Sequence, residues 1–307
     1  MVMLRMVRES QEICAKEPFM EPMLRGNVLR HTNFASALAF MLARKFGAHD
    51  DYTVEDWENV FTEVFSGKLG PYEPHLGEAT HLAANDLQAV PDRDAACTKM
   101  VAAFLFYKGF HAIQVHRVAH VLWRVGRQFT ALLLQSRCSE LWGVDVHPAA
   151  TIGSGLLIDH ATGIVMGETA VVGNDCSFLH GVTLGGTGKE GCGDRHPKIG
   201  DNVLVGCNAT LLGNVHVGSN CKIGSGTMLL KDTAPGVTVV GNPARLVGVS
   251  MCKHSGQDMD HALASVVTAS GHRYSTEQYE HEIHVALPRP PRSRSSAMLS
   301  SLSSLGP

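Results

Sequence analysis

Three absences narrow what this chain can be. Aromatic residues make up only 6% of its 307 positions, so a conventional core packed on Phe, Tyr and Trp is not expected. No apolar run reaches the roughly 18 residues that a membrane-spanning helix needs. The first residues mix Arg5, Arg8 and Glu9 without a signal-peptide apolar stretch, which predicts a soluble cytoplasmic protein. Charge of neither sign dominates, with a formal net charge of -3 and a sequence pI near 6.6, so there is no general attraction to nucleic acid or to an anionic membrane surface. The eight cysteines form no C-x-x-C pair; neither a zinc ribbon nor a small disulfide scaffold is indicated, and a reducing compartment is the simpler inference.

Glycine, by contrast, is abundant at 31 residues, and the chain read in sixes shows why. From Val146 an apolar or small residue recurs at every sixth position through Ile152, Ile158, Ile164, Ala170, Cys176 and Val182. An excursion from Gly188 to Lys198 interrupts the count, which resumes at Ile199, Val205, Leu211, Val217, Ile223 and Leu229. A period of six fits neither the helical repeat of roughly 3.6 residues nor a simple alternating strand. It is the hexapeptide signature of a parallel β-helix, in which three hexapeptides close one triangular coil. Flat prism faces of this kind usually pack as trimers, with ligand sites between neighbouring subunits.

Ahead of the repeat the rhythm is helical. Val118, Val121, Leu122, Val125, Phe129, Leu132 and Leu133 follow the i, i+3, i+4, i+7 spacing. A second helix is predicted from about Asn33 to Phe46, with Leu38, Met41, Leu42 and Phe46 on one side, and a third around Leu82 to Val90, before Pro91. The expected organisation is α+β: an N-terminal helical domain over 8–142, a left-handed parallel β-helix over 143–250, and a flexible tail over 251–307 that ends in a Pro, Arg and Ser-rich run from Pro288 to Ser296.

Two places in the repeat hold residues suited to proton transfer and anion binding. His160 stands two residues beyond Ile158, at an outer turn, and Asp145 lies two hexapeptides plus three residues earlier, close to one coil below. Stacked coils are expected to bring them together, a carboxylate fixing the tautomer of a neutral imidazole that acts as general base; the alternative is a turn histidine bonded to backbone. The segment from Gly181 to Lys189 leads into a loop ending Gly193-Asp194-Arg195-His196-Pro197-Lys198. It gathers a fixed cation, a second histidine and mobile glycines, and Arg195 would suit an amino-acid carboxylate; the alternative is a surface loop whose glycines only make turns.

The segment Asp159-His160-Ala161-Thr162-Gly163-Ile164-Val165 with Gly167-Glu168-Thr169-Ala170, the run from Val182 to Lys189, and Asp194-Arg195-His196-Pro197-Lys198-Ile199-Gly200 together resemble the serine acetyltransferase family. So do Asp86-Leu87-Gln88-Ala89-Val90 with Arg93-Asp94, then Tyr107-Lys108-Gly109-Phe110-His111-Ala112, and Gly241-Asn242-Pro243-Ala244-Arg245, so the resemblance spans roughly residues 10 to 250. It implies direct transfer of an acetyl group from acetyl-CoA, as co-substrate, to the hydroxyl of L-serine, giving O-acetylserine for cysteine biosynthesis, with no tightly bound cofactor and no metal.

By that resemblance His160 is the general base, Asp145 the carboxylate that orients it, and His196 a further member of the catalytic set. Asp94 and Asp159 hold the serine ammonium side, Arg195 and His196 its carboxylate, and Gly186, Cys207, Lys222 and Ser225 line the CoA groove. The implied partners are further copies of the chain, as a homotrimer or dimer of trimers, cysteine as feedback inhibitor, and O-acetylserine sulfhydrylase. Family members reach that last enzyme with a C-terminal isoleucine, whereas this chain ends Leu305-Gly306-Pro307, and its loop before Asp194 is one residue longer than is usual. A metal-dependent hydratase resembling γ-type carbonic anhydrase is the rival enzyme, but no two of His147, His160, His180, His196 and His216 have that family's five-residue spacing. A catalytically silent scaffold is the third reading, and the set Asp145, His160, Arg195 and His196 argues against it.

Overall fold

The six-residue rhythm becomes three parallel sheets wound around a triangular prism. The computed structural model describes residues 1–49, 51–72, 77–188, 193–249 and 254–259. One sheet stacks β1 (Val144–Val146), β4 (Ile164–Met166), β7 (Thr183–Gly185), β10 (Thr210–Leu212) and β13 (Met228–Leu229). A second stacks β2 (Thr151–Ile152), β5 (Val171–Val172), β8 (Lys198–Ile199) and β11 (His216–Val217). The third stacks β3 (Leu157–Ile158), β6 (Ser177–Phe178), β9 (Leu204–Val205), β12 (Lys222–Ile223) and β14 (Val237–Val240), and the antiparallel β15 (Arg245–Val249) closes its end.

All thirteen hexad positions are buried, yet the stacked ladder differs from the simple count. Val146 lies beside Met166 and Met166 beside Leu184, while Ile152 pairs with Val172 and Ile158 with Phe178. From Ile158 to the next ladder residue, Met166, the chain therefore takes eight positions where the repeat has six. Ile164, Ala170, Cys176 and Val182 fall two places ahead of the ladder, at or just before a strand start, where the prism narrows into a corner. The extra residues sit in the turn Asp159–Gly163, and a larger insertion separates Leu184 from Ile199. Elsewhere the corners are made by Asp175, Asn202, Asn208 and Asn220 with φ between 56 and 63°, a left-handed conformation that short polar side chains tolerate best after glycine.

The helices preceding the prism are α1 (Val2–Lys16), α2 (Glu21–Leu24), α3 (Phe34–Phe46), α4 (Val54–Phe65), α5 (Ala79–Arg93), α6 (Met100–Phe106), α7 (Lys108–Arg124) and α8 (Gln128–Trp142). Asn33 caps α3, its Oδ1 accepting the Ser36 N–H at 2.9 Å, and Leu38, Met41, Leu42 and Phe46 are buried as the stripe requires. The stripe from Val118 to Leu133 is not one helix. Gly126, at φ 84°, separates α7 from α8, and Val125, Phe129 and Leu132 are exposed. Nor does Pro91 stop α5: proline removes one N–H in the final turn, and the Asp94 N–H still closes that turn on the Val90 carbonyl at 2.8 Å.

A buried polar junction ties the helices to the prism. Asp86 on α5 and Arg117 on α7 form an ion pair at 2.7 Å with side chains 1% and 0% exposed. The Arg117 guanidinium also donates to the Gly153 carbonyl at 2.8 Å, and Asp86 accepts from the Leu156 N–H at 2.9 Å and from Gln114 at 3.0 Å. Every oxygen of the carboxylate is thus used, as a buried charge demands.

Two of the three buried histidines on α7, His111 and His116, are expected to make the fold acid-sensitive. Burial lowers His111 to about 3, and drives His116 well below the ordinary imidazole value. The folded chain then holds these rings neutral at a pH where the unfolded chain protonates them, so unfolding takes up protons and stability falls as pH drops below the unfolded value of about 6.5. Each such histidine contributes a slope of about 1.4 kcal/mol per pH unit in that window. Urea unfolding followed from pH 6.5 to pH 5 is expected to show the loss, and His111→Gln, which retains a donor toward the Phe104 carbonyl at 2.8 Å, should have a visibly flatter profile. An unchanged profile would remove His111 as a source.

A short α9 (Ser255–Asp258) returns to the third sheet, where Ser255 Oγ donates to Asn220 O and the Gly256 N–H to Asn202 O, both at 2.9 Å. A Cβ on Gly256 would lie 2.3 Å from the Asp175 carbonyl oxygen, so this approach needs glycine. The expected flexible tail beyond α9, its Pro288–Ser296 run, the final Leu305-Gly306-Pro307 and loop residues Lys189–Cys192 lie outside the described residues.

Candidate active site

The turn with two extra residues carries Asp159 and His160. His160 and Ala161 both have positive φ, 56 and 60°. The Ala161 N–H bonds the Asp159 carbonyl at 2.6 Å and the Thr162 N–H bonds the His160 carbonyl at 2.7 Å. These are successive i to i+2 bonds, each spanning a residue with positive φ, the arrangement of strained γ-turns. Neither residue is glycine, and such conformations cost about 1–3 kcal/mol apiece, which the surroundings must offset. The offset is visible in Gly163 N–H to Gly143 O at 2.7 Å and Gly181 N–H to Thr162 O at 2.9 Å. The result is an imidazole thrust into solvent, 74% exposed, with Nε2 at 3.6 Å from Asp159 Oδ2.

Strand register places His160, His180, Cys207 and Ser225 each two residues beyond the stacked positions Ile158, Phe178, Val205 and Ile223. They form one column along a prism edge, and the His160 and His180 rings meet edge-on at 5.8 Å. At about 4.8 Å per coil the column is roughly 14 Å long. Two of the four expected CoA residues, Cys207 and Ser225, therefore share an edge with His160. Gly186 does not; it begins the loop at the far edge of the first sheet. Lys222 projects from β12 in the third sheet and is only 8% exposed.

The far edge of the first sheet holds Arg195 and His196. Asp145 is central in β1, one coil from Val165 on the flat face beyond the His160 corner, and its carboxylate accepts from Gln135 at 2.6 Å. Stacking therefore does not join Asp145 to His160 within one chain. In the second insertion Arg195 pairs with Glu168 at 2.6 Å, which holds that carboxyl below its usual range. Lys198 donates to the carbonyls of Thr169 at 2.9 Å and His196 at 2.7 Å, and contacts Asp194.

His196 is locked in orientation. The Thr169 N–H donates to its Nδ1 at 3.1 Å, with Thr169 Oγ1 at 2.9 Å from the same nitrogen. An acceptor at Nδ1 puts the proton of the neutral ring on Nε2. Burial, then Arg195 and Lys198, lower its pKa and keep it neutral. The ring packs so closely on Gly167 that a Cβ there would fall 2.0 Å from Nε2. His196 is thus built as a donor from Nε2.

Asp94 ends α5, its Oδ1 accepting the Ala96 N–H at 2.8 Å, and it neighbours Tyr107, whose hydroxyl is pushed up by burial, by Cys97 and by Asp94. Sequence reasoning missed the supporting residues Gln135, Glu168 and Thr169; only the Glu168-Thr169 adjacency within the quoted motif hinted at them. Among the described residues, no three His, Cys, Asp or Glu side chains converge as a metal site, and no helix is long and apolar enough to cross a membrane.

Residues 2–115 match the family described as Serine acetyltransferase, N-terminal, and residues 196–231 match Bacterial transferase hexapeptide (six repeats). The Oryza sativa subsp. japonica protein named Probable serine acetyltransferase 4 is 52% identical over 240 residues, 77% of this chain and 72% of the relative. A soybean serine acetyltransferase complexed with serine superposes with a TM-score of 0.74 at 46% identity, covering 80% of this chain and 97% of that one. A Brucella abortus serine acetyltransferase in complex with coenzyme A gives 0.76 at 42% identity, covering 82% and 96%.

Proposed function

The chain belongs to the serine acetyltransferase family, and from that premise we propose how its residues carry out the reaction. It transfers the acetyl group of acetyl-CoA to the side-chain hydroxyl of L-serine, releasing coenzyme A and O-acetylserine. The observation that carries the residue assignment is the partition just described: Asp159, His160, Cys207 and Ser225 lie on one prism edge, while Asp145 lies on the flat face of the first sheet and Gly186, Arg195 and His196 at that face's far edge. Neither set alone supplies a base, its orienting carboxylate and groups for both ends of a zwitterion. Packing three prisms side by side sets the His160 edge of one chain against that face of its neighbour.

In this reading the site is shared. His160 takes the serine hydroxyl proton while the neighbour's carboxylate at position 145 stabilises the imidazolium that forms. The serine oxygen attacks the thioester carbonyl, the carbon–sulfur bond breaks, and the thiolate leaves as coenzyme A after taking a proton from His160. His196, donating from Nε2, suits the oxyanion or the serine carboxylate. Arg195 shares its guanidinium between Glu168 and that carboxylate, and Asp94 with Asp159 faces the ammonium. Acetyl-CoA lies along the column from His160 past Cys207 to Ser225, a path to which Lys222 contributes little because of its burial.

Cysteine, identical to serine but for a thiol, would occupy the same charged groups and act as an inhibitor. The trimer, a dimer of trimers and a reducing, cytoplasmic setting belong to the same proposal; six free cysteines among the described residues support the last. Thiol release from acetyl-CoA, measured with serine, threonine and homoserine in parallel, is the direct test. One methylene is worth about 10- to 200-fold in kcat/KM, and serine should lead by that margin; equal rates for all three would contradict the assigned acceptor site.

A further inference from the structure

The segment Tyr107-Lys108-Gly109 lies outside the reaction just described, yet each of its residues touches a part of the site. Tyr107 neighbours Asp94. Lys108 Nζ donates to Thr162 Oγ1 in the strained turn, and Thr162 Oγ1 in turn faces the His160 carbonyl at 3.4 Å. Gly109 presses on the strand just before that turn, so that a Cβ would fall 2.0 Å from the Ile158 carbonyl oxygen. The start of α7 therefore braces the turn from two sides, by backbone contact ahead of Asp159 and by a charged hydrogen bond behind Ala161.

We propose that Lys108 and Thr162 are a positioning pair for His160: the ammonium fixes the Thr162 hydroxyl, the hydroxyl is held against the His160 carbonyl, and the two left-handed residues between Asp159 and Thr162 stay in the one arrangement that projects the imidazole along the acyl-donor edge. Without the pair the turn has cheaper conformations available, because positive φ at His160 and Ala161 is otherwise disfavoured. Displacing a catalytic group by about 1 Å can cost as much as a hundredfold in rate. The inference rests on His160 being the base.

Lys108→Met and Thr162→Val are expected to lower kcat about tenfold each while leaving KM for acetyl-CoA within about twofold, since the reacting geometry and not the binding column is disturbed. Because both act through one bond, the double variant should lose no more than either single one, and Thr162→Ser, which keeps the hydroxyl, should retain near-normal kcat. Both side chains are at the surface, and thermal unfolding of each variant checks that the fold is intact. Losses that multiply in the double variant, or kcat within twofold of the parent in both single variants, would overturn the pairing. His160→Asn separates the two levels. If it abolishes turnover while Lys108→Met and Thr162→Val both keep kcat within twofold of the parent, only the positioning role fails. If it leaves turnover intact, the base assignment and the positioning role fall together.

Discussion

Substituting His160 by Asn is expected to lower kcat by about 10²- to 10⁴-fold, the usual contribution of a general base, with KM for acetyl-CoA nearly unchanged. Asparagine is the informative replacement because it accepts the left-handed backbone that the turn requires, whereas alanine would add strain to the chemical loss. The ring is 74% exposed and makes no bond that holds the fold, so the melting temperature should stay within a degree or two. Retained turnover would remove the catalytic assignment. A mixing experiment then decides whether the site is shared. Chains carrying His160→Asn and chains carrying Asp145→Asn are each expected to be inactive alone. In equal mixed trimers about a quarter of the sites receive His160 from one chain and Asp145 from its neighbour, and that fraction of activity should return. If the two residues acted within one chain, no site would be restored.

Arg117→Met is the second large effect. It leaves the Asp86 carboxylate buried beside an apolar side chain, and removing one partner of a buried pair costs about 3–5 kcal/mol, a large share of the 5–15 kcal/mol that typically separates folded from unfolded chains. Two further bonds are lost with it, to the Gly153 and Ile152 carbonyls, so the junction between α7 and the prism should loosen first. Chemical denaturation should show a lower midpoint. The double variant Asp86→Leu with Arg117→Met removes both charges and should recover part of the loss, because no isolated ion remains. A single-variant cost below about 1 kcal/mol would show that water reaches the pair on opening at little expense.

The prism was legible because its signal is local: each register residue must point inward, and inwardness at a fixed interval is written directly in residue type. Helix α3 was legible for the same reason, from its apolar stripe. Where the reading and the structure differ, the cause is non-local. The stripe over Val118–Leu133 looked continuous because spacing counts a left-handed glycine as only one more residue. Asp86 read as part of a motif, with nothing in its neighbours to show that it would face Arg117 across two helices and fix them to the corner between the second and third sheets.

The chain's sequence alone determined the repeat, the interruption before Ile199, and which side chains have the chemistry for acyl transfer to an amino acid. Only the tertiary structure decided where those side chains meet. Two extra residues in the Asp159–Gly163 turn shift the ladder from Ile164 to Met166 and put Asp145 beneath Val165, off the His160 edge; folding also pairs Arg195 with Glu168 and sets the His196 tautomer through Thr169. Periodicity measures position along a strand, but the phase of a closed coil and the partner of a charge depend on how many residues each corner uses, and that becomes definite only when the coil closes.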